Sequence, residues 1–184
     1  MVLRDAAVLD PEAGSLVEGQ AVVTDGDRVV EVAPTATVRA GDATVVDVGG
    51  RAVMPGLIDA HVHVNAVTAD LGALETWSPA YVTARAAGVL RGMLDRGFTT
   101  VRDVAGADFG IAAAVSEGLF CGPRVIFGGK ALSQTGGHGD PRAPGRTALD
   151  QHPCCPALTV VADGVAEVRR AAREQLRRGR TTSR

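Results

Sequence analysis

The fold is predicted by one stretch, Met54-Pro55-Gly56-Leu57-Ile58-Asp59-Ala60-His61-Val62-His63-Val64. Side chains alternate across a β-strand, so His61 and His63 are expected on one face and the two valines on the other. Two imidazoles on one face can bind one metal ion. Pro55-Gly56 marks a tight turn into the strand, and the apolar residues that follow predict a parallel strand buried on both faces.

A bare His-x-His pattern is a weak signal for a metal site, because a buried strand can also carry two hydrogen-bonded histidines. The flanking residues strengthen it. The stretch resembles the first-strand signature of the amidohydrolase superfamily, in which Pro-Gly-Leu/Phe-Ile-Asp-x-His-x-His opens a metal-dependent (β/α)8 barrel. The resemblance implies that His61 and His63 are metal ligands in an α/β protein.

The chain divides by pattern into two domains. Short β-rich pieces broken by Gly, Asp and Pro predict a small antiparallel β domain over residues 1–52, with Asp25-Gly26-Asp27 as a hairpin turn. From the histidine strand onward, β and α patterns alternate, which is typical of a parallel α/β fold. Residues 53–184 are too few for a closed barrel of about 250 residues. We therefore predict an incomplete (β/α)8 TIM barrel of the first three or so units.

The elements of the second domain follow from apolar spacing and from helix start and stop residues. Ser78-Pro79 opens the first predicted helix. The predicted elements after the histidine strand are a helix Ala80–Arg96, a strand Phe98–Val104, a helix Ile111–Leu119 and a strand Arg124–Gly128. A long polar loop is predicted for Gly129–Pro156. An amphipathic helix is predicted for Asp163–Arg178. Its inward stripe would consist of Val165, Val168, Ala172 and Leu176.

Further motifs resemble one branch of the superfamily, which contains imidazolonepropionase-like amidohydrolases and prolidase-like Xaa-dipeptidases. They are Gly97-Phe98-Thr99-Thr100-Val101-Arg102-Asp103, Gly122-Pro123-Arg124 and Ser133-Gln134-Thr135-Gly136-Gly137-His138-Gly139-Asp140. The resemblance implies hydrolysis of amide, cyclic amide or dipeptide C–N bonds by a metal-activated hydroxide. It also implies one or two divalent ions, with zinc expected, and a small-molecule or dipeptide substrate.

Two other residues are candidate catalytic residues. His138 lies in a Gly-rich loop after the third predicted barrel strand, where its ring could meet substrate or a developing oxyanion. The alternative is a flexible loop histidine. Asp103 ends the second barrel strand, at the edge where such barrels carry their active sites. The alternative is that Arg102-Asp103 only pairs with neighbouring residues.

The resemblance also implies residues that cannot be located in this sequence. They are a carboxylated bridging lysine, two further histidines from the fifth and sixth barrel strands, and a general-base aspartate from the eighth. The sole lysine, Lys130, follows the third strand, whereas the family's bridging lysine comes from the fourth, so we interpret it as a loop residue. We expect a truncated chain that is inactive alone. The resemblance implies that the last helix continues into a strand reading roughly Gly-Ala-Asp-His-Ile-Lys, whose lysine is the bridging ligand. Loss of one base in codons for that strand would give the tail Gly179-Arg180-Thr181-Thr182-Ser183-Arg184, so our hypothesis is a frameshifted chain. The alternative function is a non-catalytic fragment or interaction module.

Composition excludes several other functions. The net charge of −2 and the absence of an isolated basic stripe argue against nucleic acid or an anionic membrane as partner. The sequence shows neither signal-peptide order nor a membrane-spanning apolar run, so we expect a cytoplasmic protein; a homo-oligomer is left open. Cys121 and Cys154-Cys155 are interpreted as incidental thiols, and nearby His152 as weak support for a site. Gly128-Gly129-Lys130-Ala131 lacks the pattern of a phosphate-binding loop.

Overall fold

The computed structural model describes residues 1–142, 144–145 and 157–179. The chain divides into two compact units, Met1–Pro55 and Gly56–Arg184. Cys121 is an exposed free thiol. The predictions for Cys154, Cys155 and His152 lie outside the described residues.

The first unit is a mixed sheet rather than the predicted antiparallel one. Its strands are β1 (Val2–Asp10), β2 (Ser15–Asp25), β3 (Arg28–Pro34), β4 (Val45–Asp47) and β5 (Ala52–Val53). The first three pair antiparallel, and the predicted hairpin turn joins β2 to β3. Strands β4 and β5, however, pair parallel with β1. Residues 35–44 carry the chain back across the sheet before β4 begins, and a returning connection of this kind produces a parallel pair.

The second unit begins with a parallel α/β arrangement. Strands β6 (Leu57–Val62), β7 (Phe98–Asp103) and β8 (Arg124–Phe127) pair side by side in that order. Helix α1 (Pro79–Asp95), preceded by a short 3-10 helix at Leu71–Glu75, connects β6 to β7, and helix α2 (Phe109–Ser116) connects β7 to β8. The predicted order of strands and helices is therefore confirmed for this part of the chain.

The residues at the start of α1 and α2 explain where each helix begins. Ser78 is the N-cap residue of α1 and Pro79 its first residue, as predicted, although the Ser78 side chain makes no capping hydrogen bond. Val82, Ala86 and Leu90 form the buried stripe of the helix. Helix α2 starts two residues before its predicted start. The reason is Asp108, whose Oδ1 accepts hydrogen bonds from the N–H groups of Gly110 and Ile111 at 2.9 and 3.2 Å. Such a capping carboxylate satisfies the first free donors of a helix.

The core of the second unit lies on one face of its sheet. Val62, Val101 and Val125 of the three strands pack with Leu90 of α1 and Ile111 of α2. Within the described residues the opposite face is open, and Ile58 of β6 is 70% exposed there. The prediction that this strand is buried on both faces is therefore wrong for the described structure, because the two helices cover the same face.

The predicted loop after β8 contains a strand of its own. Strand β9 (Ala131–Ser133) pairs parallel with β10 (Thr159–Val161), and helix α3 (Gly164–Arg177) follows. The predicted inward stripe of α3 is wrong. Val165, Val168 and Leu176 are 72%, 40% and 59% exposed, and only Ala172 of the four is half-buried.

The side of α3 that meets the rest of the unit includes a polar contact. Gln175 is half-buried, and its Oε1 accepts a hydrogen bond from the backbone N–H of Lys130 at 3.0 Å. Ala171, beside Ala172, is half-buried on the same helix. Helical periodicity identified an apolar stripe but could not show which face meets the neighbouring backbone. Among the described helices, none combines the length and apolar character needed to cross a bilayer.

Candidate metal centre

The strand that carries the two histidines is irregular at the point where they lie. In the β6–β7 pair, Asp59 lies opposite Val101 and Val62 lies opposite Asp103, so β6 has one extra residue in this interval. The N–H of His61 donates to Asp59 Oδ1 at 3.0 Å. A short local bond of this kind competes with the strand ladder. The result is a β-bulge, a feature that redirects side chains near functional sites.

The imidazoles of His61 and His63 lie beside each other. Their ring centroids are 5.3 Å apart, with the ring planes at 81°. His61 is exposed and His63 is half-buried, one residue beyond the end of β6. The alternation argument predicted this proximity, but it assumed a regular strand, whereas the two rings meet at a bulge.

A hydrogen bond fixes the proton of neutral His63. Its Nδ1 lies 3.1 Å from the carbonyl oxygen of Ala105. A carbonyl oxygen can only accept, so in the neutral ring Nδ1 carries the proton and Nε2 keeps a lone pair. This is the arrangement by which proteins orient a metal-binding histidine, with one ring nitrogen donating to the protein and the other left for the ion.

Asp103 is a fully buried carboxylate at the end of β7. Its Oδ2 accepts from the N–H of Val64 at 2.7 Å, and its Oδ1 accepts from the N–H of Ala107 at 3.1 Å. Burial raises the pKa of Asp103 above its ordinary value, while these hydrogen bonds and nearby His63 oppose the shift. Both carboxylate oxygens are thus used to join the segment after β6 to the loop after β7.

Arg102 precedes Asp103 and contacts residues 59–64, the segment that carries the two histidines, on the exposed face of the sheet. Its Nε donates to the carbonyl oxygen of Ala60 at 2.9 Å, and the side chain is exposed. Sequence reasoning gave Arg102 no role beyond pairing with neighbours. Its position in the sequence could have indicated this contact. Arg102 comes directly before the strand-ending Asp103, and adjacent strand residues point to opposite faces, so a buried Asp103 implies that Arg102 lies on the exposed face.

His138 is exposed on a tightly held loop that spans residues 133–142. The N–H of Gly139 donates to Ser133 Oγ at 3.1 Å, and Thr159 Oγ1 donates to the carbonyl of Gly139 at 2.5 Å. A Cβ at Gly139 would lie 2.8 Å from Thr159 Cγ2. Only glycine therefore allows strand β10 to approach the loop this closely.

Charged groups brace the same loop. Arg142 donates from Nε and Nη2 to the two oxygens of Asp140 at 2.7 and 2.5 Å, and Asp140 also accepts from the N–H of Gly136 at 2.8 Å. The Arg142 hydrogen bond, followed by that of Gly136, holds the pKa of Asp140 well below its usual range. Thr135 donates from its hydroxyl and its N–H to Asp163, which lowers the pKa of that carboxyl.

The structure brings two of the candidate residues together and leaves a third apart. Across the described residues, no hydrogen bond or ring contact joins His138 to His61 or His63. Nor do three or more His, Cys, Asp or Glu side chains from the described ranges form a cluster that could hold a metal ion. The described part of the chain therefore presents two imidazoles, with a buried carboxylate behind them.

Comparison with known proteins adds a family to this geometry. Residues 52–183 match the sequence profile described as the amidohydrolase family. A solved prolidase complexed with N-methylphosphonate-L-proline is 48% identical, with a TM-score of 0.90 over 98% of this chain and 44% of that chain.

A second relative is ochratoxinase of Aspergillus niger, which is 38% identical in an alignment covering 69% of this chain and 29% of that protein. The solved A. niger ochratoxinase structure has a TM-score of 0.77 at 29% identity, over 97% of this chain and 44% of that one. The chain thus spans less than half the length of these relatives.

Proposed function

The chain belongs to the amidohydrolase family, and we propose that it supplies the first two metal ligands of a hydrolase that cleaves carbon–nitrogen bonds. The observation that supports this proposal is the histidine pair. The two rings are 5.3 Å apart, and the Ala105 carbonyl leaves Nε2 of His63 with a free lone pair. In this proposal β6, β7 and β8 are the first three strands of a (β/α)8 barrel.

The donor set fits a divalent cation, and zinc is the first candidate because it binds imidazole nitrogen well. When bound, such an ion lowers the pKa of a coordinated water toward about 7 and polarises the scissile carbonyl. His61 and His63 would hold the ion through ring nitrogens. Catalytic zinc sites generally present three protein ligands. The remaining ligands would come from residues outside the described ranges, and so would the further ligands of a second ion if one is used.

His138 and Asp103 take different roles in this proposal. His138 is exposed on a braced loop after β8, so its ring is free to contact a substrate or accept a proton. Asp103 is buried and both its oxygens accept backbone hydrogen bonds. The sequence made Asp103 a candidate catalytic residue and left pairing with neighbours as the alternative, but this geometry supports a positioning role, in which it holds the chain that bears His63.

Small amides and dipeptides are the proposed substrates. The relative solved with N-methylphosphonate-L-proline supports prolyl dipeptides as the first to test, and the likeness to ochratoxinase supports a wider panel of amides. Cytoplasmic location and self-association stay predictions from the sequence.

A non-catalytic protein is the second candidate. Its support is that the described ranges bring only two candidate ligands together, since no cluster of three or more is found there. In this case the chain would bind a cation at His61 and His63 without turning over a substrate.

Zinc titration tests the metal site. Calorimetric titration of the metal-free protein with ZnCl₂ should show binding that is lost in the double variant His61→Ala/His63→Ala. His138→Ala is the matched control, because it removes an imidazole outside the pair, and it should keep zinc binding. Equal affinity in the double variant and the wild type would refute the metal centre.

Activity separates the two candidates. The zinc-loaded protein is incubated with prolyl and other dipeptides and with cyclic amides, and released amine is measured. Turnover that depends on His61 and His63 supports the hydrolase. Zinc binding without turnover, both in this chain and in a version extended to the length of its relatives, supports the non-catalytic candidate.

A further inference from the structure

We propose that Arg102 is a positioning residue for metal binding, which holds the carbonyl of Ala60 and thereby fixes the bulge that aims His61 at His63. The inference rests on the proposed function, because it concerns the same histidine pair. It adds a residue that is not itself a ligand and that lies on the neighbouring strand.

The N–H and the C=O of the peptide group at the bulge each need a hydrogen-bond partner. An extra residue in one strand leaves some N–H and C=O groups outside the ladder. Here the N–H of His61 is satisfied by Asp59, and the carbonyl of Ala60 is satisfied by Arg102. These two side-chain contacts flank the peptide bond that joins Ala60 to His61. They hold the backbone at His61 and hence the direction in which its Cα–Cβ bond leaves the strand.

His61 depends on this backbone position more than His63 does. The ring of His63 is held directly by the Ala105 carbonyl. The described residues include no hydrogen-bond partner for the ring of His61, so the backbone position, which sets the direction of its Cα–Cβ bond, matters more for this ring. Arg102 is suited to this task because the Nε–H of a guanidinium has a fixed direction in the plane of the group.

Arg102 is also one of four consecutive residues that contact the histidine segment. The N–H of Val104 donates to the carbonyl of Val62 at 3.1 Å. Asp103 accepts from Val64, and Ala105 accepts from the ring of His63. Residues 102–105 thus hold residues 60–64 from both faces of the sheet. Arg102 provides the contact on the exposed face.

The test compares zinc affinity in two arginine variants. Arg102→Met removes the donor but keeps a long stem, and Arg124→Met is the matched control, because Arg124 is an exposed arginine on the adjacent strand β8. Zinc affinity is measured by competition with a chromophoric chelator, and the melting temperature is measured in excess chelator. We expect R102M to weaken zinc binding by roughly 10- to 100-fold, the usual effect of losing a residue that orients a ligand. R124M should stay within about twofold, and the two metal-free variants should melt alike.

A conservative variant and a structure complete the test. Arg102→Lys should recover part of the lost affinity, because its ammonium can reach the carbonyl but donates without a fixed direction. In metal-free R102M, the 5.3 Å separation of the two rings should change. If R102M does not fold, R102K is compared with Arg124→Lys in the same assay.

Several outcomes would overturn the inference. They are equal zinc affinity in the Arg102 variant and its Arg124 control, an unchanged ring separation, or a loss of affinity matched by a loss of metal-free stability. If H61A/H63A loses zinc while R102M does not, only this inference fails. If H61A/H63A binds zinc like the wild type, the proposed metal centre fails and the inference fails with it.

Discussion

Two segments of the second unit carry the candidate histidines, and they are held in opposite ways. Residues 59–64, the histidine-pair segment, are tied down by backbone contacts whose centre is the fully buried Asp103. Residues 133–142, the His138 loop, are braced by charged side chains that pair with each other. The central pair there is Asp140 and Arg142, whose side chains are 6% and 20% exposed.

The difference matches what each segment is proposed to do. A metal ligand must keep its position closely, and a buried carboxylate with two backbone donors provides this because water cannot replace its hydrogen bonds. A loop that contacts substrate can move more, and the Asp140–Arg142 pair joins two residues of the loop itself, so this pair does not tie the loop to the rest of the unit. The kind of anchor therefore distinguishes the two histidine sites: a buried carboxylate that accepts from two backbone N–H groups in one, and a carboxylate paired with an arginine of its own loop in the other.

Removing the buried anchor is expected to have the largest effect. Asp103→Ala leaves the N–H groups of Val64 and Ala107 buried without acceptors, at a cost of about 1–3 kcal/mol each. Urea denaturation should show a corresponding fall in the free energy of unfolding. Asp95→Ala, which removes an exposed carboxylate from α1, is the control and should change little. Similar losses in both variants would mean that Asp103 is no more an anchor than a surface residue is.

An overpacking change should disturb the His138 loop to a smaller extent. In Gly139→Ala the added methyl would lie 2.8 Å from Thr159 Cγ2 and 3.0 Å from Ser133 Cβ, so the loop must shift away from β10. Overpacking of this kind costs about 1–3 kcal/mol. Gly145→Ala is the matched control, since open space surrounds that position. Thermal melting and proteolysis of the loop should separate the two variants; identical behaviour would show that the close approach is unimportant.

The smallest effect is expected from the ion pair, and it should depend on pH. The pKa of Asp140 lies below its ordinary value of 3.8 in the folded chain, so its contribution is complete above that pH and is lost as the pH falls below it. The hydrogen-exchange protection factor of the Gly136 amide should therefore hold from pH 7 to about 4 and then decline.

In Asp140→Asn this protection should be roughly two- to fivefold lower at pH 6 and should lack the acid decline. Glu117→Gln, an exposed change on the same unit, is the control. Wild-type protection that begins to fall near pH 6 would contradict the assignment to Asp140.

Several features could be predicted from the sequence because they depend on residues close together in the chain. The order of strands and helices around β6, β7 and β8, the start of α1 at Ser78-Pro79 and the hairpin between β2 and β3 follow from local spacing and turn residues. The motifs around His61 and His63 also predicted the family. The metal-binding role of these two residues stays a prediction.

Other features could not be predicted, because they depend on contacts between distant residues. The parallel pairing of β4 and β5 with β1 depends on the path of a connection, and the face that α3 presents includes Gln175, which bonds the distant backbone of Lys130. The bulge at His61 and the buried hydrogen bond between Asp103 and Val64 likewise join residues about forty positions apart along the chain.

The sequence by itself determined which chemical groups are present and in what order: two imidazoles one residue apart, a strand-ending Arg102-Asp103 and a glycine-rich loop with His138. Only the tertiary structure decided how they are used. It placed Asp103 in the interior as an anchor, put Arg102 against the carbonyl of Ala60 and oriented His63 through Ala105. The physical reason is that burial and hydrogen-bond partners are properties of neighbours in space, and neighbours in space are set by how the strands pair.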